Sequence, residues 1–244
     1  MSDARRSRQT RRCLRVTALA LALASLPVAT RADEPATLRV PEDYHELHRA
    51  LLAARAGDVI QLAAGRHEVG RVILDRAVVL RGAGPDKTIL AGAATRGSPL
   101  YVSASATLEG FSLEGAPAEG QRHPLLTIVH EGAGQVTLRD LLLERAPGAG
   151  VVIFGGAVVV DGLEVRGPGG PGVEVRRLNG DAFVSWPRPV LRRLVVRDAA
   201  AGVVLADGAG GLLEAPEITG SREADVEVTG ALTCTRLVGC DALR

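Results

Sequence analysis

Two consecutive stretches decide the fold: 136–153, VTLRDLLLERAPGAGVVI, and 158–175, VVVDGLEVRGPGGPGVEV. Aligned at an offset of 22 residues, they place like residues together. The matching pairs are Val136 and Val158, Leu138 and Val160, Leu141 and Leu163, Leu143 and Val165, Gly150 and Gly172, Val151 and Val173, and Ile153 and Val175. A fixed period with apolar alternation inside each copy is typical of a solenoid, whose repeats bury their apolar faces against each other.

Further copies of the pattern lie on both sides of this pair. They are carried by Leu108, Phe111 and Leu113, by Leu191, Leu194 and Val196, and by Leu213, Pro216 and Ile218. Each copy contains three short strand segments, and Asn179 is the only asparagine of the chain, so a leucine-rich repeat is disfavoured. Earlier strands are expected at 59–62, 72–74, 78–80 and 88–90. The pattern predicts an all-β, single-stranded parallel β-helix with about 22 residues per coil.

One position of each copy marks a corner between the inward-facing pairs. It is occupied in turn by Gly110, Asp140, Gly162, Arg193 and Ala215. Glycine and aspartate tolerate the left-handed conformation that a tight corner demands, whereas arginine and alanine do not favour it. We therefore expect the corner to relax toward the C-terminal end.

The segment 43–55 is the one convincing helix. Its apolar residues Leu47, Ala50, Leu51 and Ala54 fall on one helical face, and Gly57 suits its end.

Residues 38–92 resemble the opening of pectin-lyase-like parallel β-helix proteins. The resemblance is carried by Leu38-Arg39-Val40-Pro41, Gly57-Asp58-Val59-Ile60-Gln61-Leu62, Gly65-Arg66-His67 and Val79-Leu80-Arg81-Gly82-Ala83-Gly84-Pro85-Asp86-Lys87-Thr88-Ile89-Leu90. It implies a right-handed coil whose N-terminal end is capped by the short helix 43–55. It leaves the activity open, because that family includes lyases, hydrolases, epimerases, adhesins and periplasmic accessory proteins.

The N-terminus has the layout of a bacterial export signal. Six arginines precede an apolar run, 16–28, that is too short to span a bilayer, and small residues follow it. Thr10-Arg11-Arg12-Cys13-Leu14 resembles the twin-arginine motif, although Arg15 stands where an apolar residue is usual, and an ordinary secretory signal is the alternative. The sequence thus predicts an export signal at 1–32 and one β-helix domain at 33–244, periplasmic or secreted and without a membrane anchor.

The net charge of the chain limits the class of partner that it can bind, and its cysteines predict a disulfide. Residues 1–32 hold seven of the 29 basic and one of the 28 acidic residues, so 33–244 has 22 basic and 27 acidic residues and a net charge of −5. A mildly acidic domain argues against nucleic acid as a partner. Cys234 and Cys240 are predicted to form a disulfide in an oxidising compartment, with two free thiols as the alternative.

Two columns of charged residues are expected to stack along the coils. The first, Glu109, Arg139, Asp161, Arg192 and Glu214, alternates in sign and predicts a ladder of ion pairs. A Ca²⁺ site is the alternative, but arginines interrupt the carboxylates that Ca²⁺ needs, so neither a metal nor another cofactor is predicted. The second column, Glu114, Glu144, Arg166 and Arg197, is expected to be a solvated face.

Two insertions break the 22-residue rhythm, at 115–124 and at 176–189. The second holds the only Trp and Asn of the chain. Trp186, Phe183 and Asn179 are candidate substrate-binding residues, and Arg177, Asp181 and Arg188 are candidate catalytic residues facing an acidic glycan. The alternative is that Phe183 and Trp186 fold back to cover an apolar side of the solenoid.

The leading functional prediction is an exported, non-catalytic β-helix module that binds a glycan or a periplasmic protein. Motifs of the polysaccharide-active members of the resembling family, such as Gly-His-Gly, Arg-x-Lys and Asp-Pro-His-Asp, are not found in the sequence. The alternatives are a lyase or epimerase acting on an acidic polysaccharide and a purely structural solenoid.

Overall fold

In the computed structural model the chain passes back and forth between two parallel β-sheets. The structure describes residues 34–93, 97–116, 120, 122–130, 132, 134–177 and 187–229, and the backbone of 235–238. In the first half the elements are β1 (Thr37–Val40), α1 (Leu47–Ala53), β2 (Val59–Leu62), β3 (Gly65–Val69), β4 (Val72–Leu74), β5 (Val79–Arg81), β6 (Thr88–Gly92), β7 (Leu100–Val102) and β8 (Thr107–Glu114).

The second half consists of strands. They are β9 (Leu126–Ile128), β10 (Gln135–Glu144), β11 (Val151–Ile153), β12 (Ala157–Arg166), β13 (Val173–Arg176), β14 (Val190–Arg197), β15 (Ala201–Ala206), β16 (Gly211–Glu214), β17 (Glu217–Thr219), β18 (Ala224–Val228) and β19 (Thr235–Val238). The long strands β8, β10, β12 and β14 each contain a residue of positive φ near the middle, which forms a corner, so each strand provides two of the three predicted segments of a coil.

Strands alternate between the two sheets along the chain. Sheet A has the order β1-β2-β5-β8-β10-β12-β14-β16-β19, with β3, β6 and β17 paired beside this path, and sheet B has the order β18-β15-β13-β11-β9-β7-β4. From β8 to β16, each strand of sheet A is followed by one of sheet B before the chain returns to sheet A. Nearly all the regular structure is thus parallel β, an arrangement that is consistent with a parallel β-helix or solenoid.

The strand register confirms the 22-residue alignment. In β10 and β12, Val136 lies opposite Val158, Leu141 opposite Leu163 and Leu143 opposite Val165. The inward-facing residues form continuous interior stacks that are almost completely buried: Leu108, Leu138, Val160, Leu191 and Leu213; Phe111, Leu141, Leu163 and Leu194; and Leu113, Leu143, Val165 and Val196. Burial of these stacks against one another provides the core that no single coil could supply.

The corner keeps its conformation along the stack, and the predicted relaxation is wrong. Backbone φ is positive at Gly110 (68°), Asp140 (45°), Gly162 (84°), Arg193 (48°) and Ala215 (46°). At Arg193 the guanidinium bonds to aspartates of two neighbouring coils, and these contacts offset the cost of the left-handed backbone. At Ala215 the next residue is Pro216, which has no N–H for the sheet, and the strand is divided there into β16 and β17.

The helix is shorter than the predicted segment 43–55 and spans Leu47–Ala53. Its N-terminal flank is held as a turn, because the N–H groups of Asp43 and Tyr44 both donate to the Arg39 carbonyl and Glu46 is extended. At the other end Ala54 is extended and buried, and Gly57 has the positive φ (96°) expected of the turn that follows. Leu47, Ala50 and Leu51 face the core as predicted.

Candidate ligand-binding cleft

A cleft of about 610 Å³ opens on the outer surface of sheet A, where its long strands bend. Its floor is a column of outward-facing side chains from adjacent strands, Ile89, Ser112, Leu142, Glu164 and Val195. These residues alternate along each strand with the buried residues of the core, so the period-two pattern that fills the interior also places this column outside. Successive members lie about one strand spacing, ~4.8 Å, apart.

One wall of the cleft consists of the corner residues Asp140, Gly162 and Arg193. Arg193 donates from Nε to Asp161 Oδ1 (2.6 Å) and from Nη2 to Asp140 Oδ1 (3.3 Å) and to the Asp161 carbonyl (3.1 Å). Gly162 lies beneath these groups, since a Cβ built on it would stand 2.6 Å from Asp140 Oδ1. The lack of a side chain there lets the guanidinium cross the corner.

The opposite wall contains Glu114, Glu144 and Arg166 of the second charged column, which was expected to be a solvated face. That expectation is wrong for Glu114, whose side chain is only 13 % exposed. Arg66 Nη1 lies 2.6 Å and Arg145 Nη2 2.5 Å from Glu114 Oε2. Glu144, directly opposite Glu114 in register, accepts instead from Arg166 at 3.1 Å. Two like charges can therefore stand side by side because each has its own guanidinium.

Glu164 links the floor of the cleft to this second wall. It accepts from Arg166 Nε at 2.8 Å and from Arg197 Nε at 3.2 Å. Arg166 thus bridges two carboxylates, Glu144 and Glu164, and is fixed between them. A side chain with its polar head held in this way loses little freedom when it binds a ligand.

Arginines in and around the cleft lower the pKa values of the carboxylates that they contact. The hydrogen bond from Arg66 lowers the pKa of Glu114, and that from Arg166 lowers the pKa of Glu164. Beside the cleft, the hydrogen bond from Arg193 lowers the pKa of Asp161. These three carboxylates therefore stay ionised at neutral pH and act as hydrogen-bond acceptors.

The alternating ladder beside the cleft has the predicted register. Glu109, Arg139, Asp161, Arg192 and Glu214 lie opposite one another in successive strands. Glu109 pairs with Arg81 and approaches Arg139 at 3.8 Å, and Arg192 Nε contacts Glu214 at 2.7 Å. Asp161 takes its hydrogen bond from the corner residue Arg193 rather than from a ladder neighbour.

The site residues predicted in the second insertion lie mostly outside the described residues. Asn179, Asp181, Phe183 and Trp186 fall within the undescribed segment 178–186, and Cys234 and Cys240 also lie outside the described part. Arg177 is half-buried just after β13, and Arg188 is exposed just before β14. The cluster around Trp186 and the disulfide therefore stay predictions.

Within the described ranges, no three His, Cys, Asp or Glu side chains are grouped in a way that could hold a metal ion. Helical structure in the same ranges never reaches the length and apolarity of a membrane span.

No known protein-family model matches the chain, and comparison with curated proteins finds no related sequence.

The cleft was not predicted from the sequence. Glu114, Glu144, Arg166 and Arg197 were predicted to form a column, but the sequence does not place Arg66 beside them, because it reaches Glu114 from 48 residues earlier. Arg193 departs from the corner pattern in the sequence, whereas in the structure it bonds across two coils. One local feature of the sequence does point to the cleft. Glu164 and Arg166 are two residues apart in one strand, which puts both side chains on the same face.

Proposed function

We propose that this protein is a non-catalytic glycan-recognition module and that the cleft on sheet A is its binding site. The observation that carries the proposal is the cleft itself, about 610 Å³ in volume, with ion-paired carboxylates and guanidiniums beside apolar floor residues. Binding sites for small polar ligands combine an apolar surface with a few fixed polar groups. A sugar ring matches both, since its hydroxyls lie at the edge and its C–H groups on the faces.

Binding rather than proton transfer is supported by the state of the carboxylates. A glycosidase-type general acid needs a raised pKa so that it carries a proton at neutral pH. Glu114 and Glu164 have lowered pKa values and accept hydrogen bonds from arginines. They can accept hydrogen bonds from sugar hydroxyls through their remaining lone pairs, but they are poorly suited to donate a proton.

The same proposal includes a right-handed coil of the pectin-lyase-like kind. Parallel strands joined by crossovers within one sheet are right-handed in about 98 % of known cases. The resemblance of residues 38–92 to the opening of that family adds support, as does the short helix α1 near the first strands. We also propose that the segment 1–32 directs export and that the mature domain acts in the periplasm or outside the cell.

A glycan array tests the proposed function. We expect the mature domain, residues 33–244, to bind a set of oligosaccharides, and Leu142→Trp to abolish this binding because the indole fills the floor of the cleft. Thr137→Trp is the matched control. Thr137 is an outward-facing, half-buried residue of the same strand, before the corner and not among the residues that line the cleft.

Three outcomes would redirect the proposal. Binding that survives Leu142→Trp places the glycan site elsewhere, with the insertion 176–189 as the first alternative. New ultraviolet absorbance from unsaturated sugar ends would identify a lyase and favour Arg177, Asp181 and Arg188 as its site. Failure to bind any glycan leaves a protein partner or a structural role as the better account. Both tryptophan variants must keep the wild-type melting temperature for the comparison to hold.

A further inference from the structure

We infer that the cleft selects neutral, polyhydroxylated glycan chains and rejects acidic ones. The inference rests on the proposed role of the cleft as a glycan site and adds the class of ligand. It differs from the expectation for the insertion 176–189, where arginines were predicted to face the carboxylates of an acidic glycan. The charged groups that line the cleft are already paired with one another or with arginines beside it, and this pairing sets the preference.

Two guanidiniums of the described residues line the cleft, and the protein itself engages both of them. Arg166 contacts Glu144 at 3.1 Å and Glu164 at 2.8 Å. Arg193 contacts Asp161 at 2.6 Å and Asp140 at 3.3 Å. An acidic sugar binds best to an arginine that can offer two parallel N–H groups. Here it would have to share the guanidinium with carboxylates that the fold holds in place, because Nε and one Nη group of each arginine already donate to the protein.

The carboxylates of the cleft oppose an acidic ligand in a second way. Among the described residues five carboxylates line it, Asp86, Glu114, Asp140, Glu144 and Glu164, and arginines in or beside the cleft already pair with four of them. A sugar carboxylate placed on the floor would meet carboxylate oxygens at short range, and the guanidiniums that could offset the repulsion are already paired.

A cationic ligand is not favoured either. Glu114, Asp140, Glu144 and Glu164 each have at least one arginine within 3.3 Å, so their charge is largely compensated. A ligand cation would have to compete with these arginines, which the fold places at the cleft without loss of translational freedom.

A neutral chain meets none of these obstacles. Its hydroxyls can donate to the lone pairs that the paired carboxylates retain. Its C–H faces can lie on the apolar floor residues Ile89, Leu142 and Val195. Because these groups recur at about one strand spacing, the chain would run along the axis of the coils, across the strands.

Matched pairs of polysaccharides test the inference. The probes are neutral chains (a β-glucan, an α-glucan, a mannan and a galactan) and the same chains after chemical oxidation of their primary hydroxyls to carboxylates. We expect the neutral member of a bound pair to bind at least about tenfold more tightly than its oxidised partner. Its affinity should change little between about 0.05 M and about 0.5 M salt, since no net charge is neutralised.

The outcomes separate this inference from the proposed function. Equal or tighter binding of the oxidised chain, lost in Leu142→Trp, overturns the neutral selectivity and leaves the cleft as a glycan site. Absence of binding to every chain overturns both. Tight binding of a neutral chain that Leu142→Trp does not affect also overturns both, because the cleft is then not the site.

A substitution that frees a guanidinium tests the cause of the selectivity. Glu164→Gln removes a partner of Arg166 and of Arg197, and we expect this variant to acquire salt-sensitive binding of the oxidised chain. Glu174→Gln is the control, because Glu174 pairs with Arg176 at 3.2 Å across the same two-residue spacing but on sheet B. An unchanged preference for the neutral chain in Glu164→Gln means that the engaged arginines do not set the selectivity, and the inference fails.

Discussion

At the scale of single residues, the corner of the coil determines both the bend of sheet A and the shape of the cleft. Each corner residue has a positive φ, which costs an L-residue about 1–2 kcal/mol relative to the right-handed region. Gly110 and Gly162 avoid this cost, whereas Arg193 offsets it through contacts with Asp140 and Asp161. Ala215 has no polar side chain with which to do the same.

Opposite substitutions at equivalent corners should therefore have opposite effects on stability. Gly162→Ala should lower the free energy of unfolding by at least about 1–2 kcal/mol, because it adds a Cβ to a left-handed residue and places that Cβ 2.6 Å from Asp140 Oδ1. Ala215→Gly should raise it by about 0.5–1 kcal/mol, since the backbone strain relieved exceeds the extra entropy of an unfolded glycine. Urea unfolding of both variants measures these differences, and a destabilised Ala215→Gly protein would contradict the account.

Glu114 should make stability depend on pH in the acid range. Its folded pKa lies below the ordinary value of 4.5, so the unfolded state takes up a proton first as the pH falls. The stabilisation is therefore complete well above pH 4.5 and is lost as the pH falls through the folded pKa. Glu114→Gln should lower the free energy of unfolding at pH 7 and make its fall toward acid pH smaller.

Urea titrations at neutral and acid pH measure this effect. Glu223, an exposed residue of the turn before β18, provides the control through Glu223→Gln. Equal acid sensitivity of the Glu114 and Glu223 variants would show that Glu114 makes no such contribution.

At the scale of elements, each long strand of sheet A has one face in the core and one in the cleft. In β10, Leu141 and Leu143 are buried, while Leu142 between them is half-buried on the floor of the cleft. In β12 the same alternation places Leu163 inside and Glu164 outside. Core packing and the proposed ligand contact thus belong to neighbouring residues of one strand.

Truncation of a core-facing leucine in β12 and of a cleft-facing leucine in β10 should separate these two roles. Leu163→Ala should cost about 2–5 kcal/mol of stability, because it leaves a cavity in a stack with Leu141 and Leu194. Leu142→Ala should cost less than about 1 kcal/mol of stability, because Leu142 is only half-buried. It should nevertheless weaken glycan binding, because it removes an apolar side chain from the floor of the cleft. Urea unfolding and titration with the bound oligosaccharide measure the two effects. A Leu142→Ala protein as unstable as Leu163→Ala would show that Leu142 belongs to the core.

The elements also show why prediction from the sequence succeeded in part. The strands at 59–62 and 72–74 and the paired repeats were predictable because period-two alternation is a local property of the strand. The start of α1 was not, because Asp43 and Tyr44 bond back to Arg39 in a turn that helical spacing does not reveal. Nor was the enclosure of Glu114, since Arg66 and Arg145 reach it from different coils.

At the scale of the whole molecule, stacking turns a short repeat into an extended surface. The cleft combines side chains from β6, β8, β10, β12 and β14, so no single coil contains it. The repeat predicts how these coils align, but the identity of the outward residues in each coil determines which chemical groups the surface presents. This is why the architecture followed from the period while the cleft did not.

Export should be visible in the mass of the mature protein. Expressed in a bacterium with its own N-terminus, the protein should be recovered from the periplasm or medium without residues 1–32. Replacement of Arg11 and Arg12 by lysine should block export if the twin-arginine route is used and have little effect if the ordinary secretory route is used. Uncleaved protein confined to the cytoplasm in both cases would contradict the export proposal.

The most direct test of the central claim is a crystal structure of the mature domain with the neutral oligosaccharide that it binds most tightly. We predict that the sugar lies in the cleft, with a ring on Leu142 and hydroxyls within hydrogen-bonding distance of Glu144 or Glu164. A sugar bound on sheet B or against the insertion 176–189, with the cleft empty, would contradict the account.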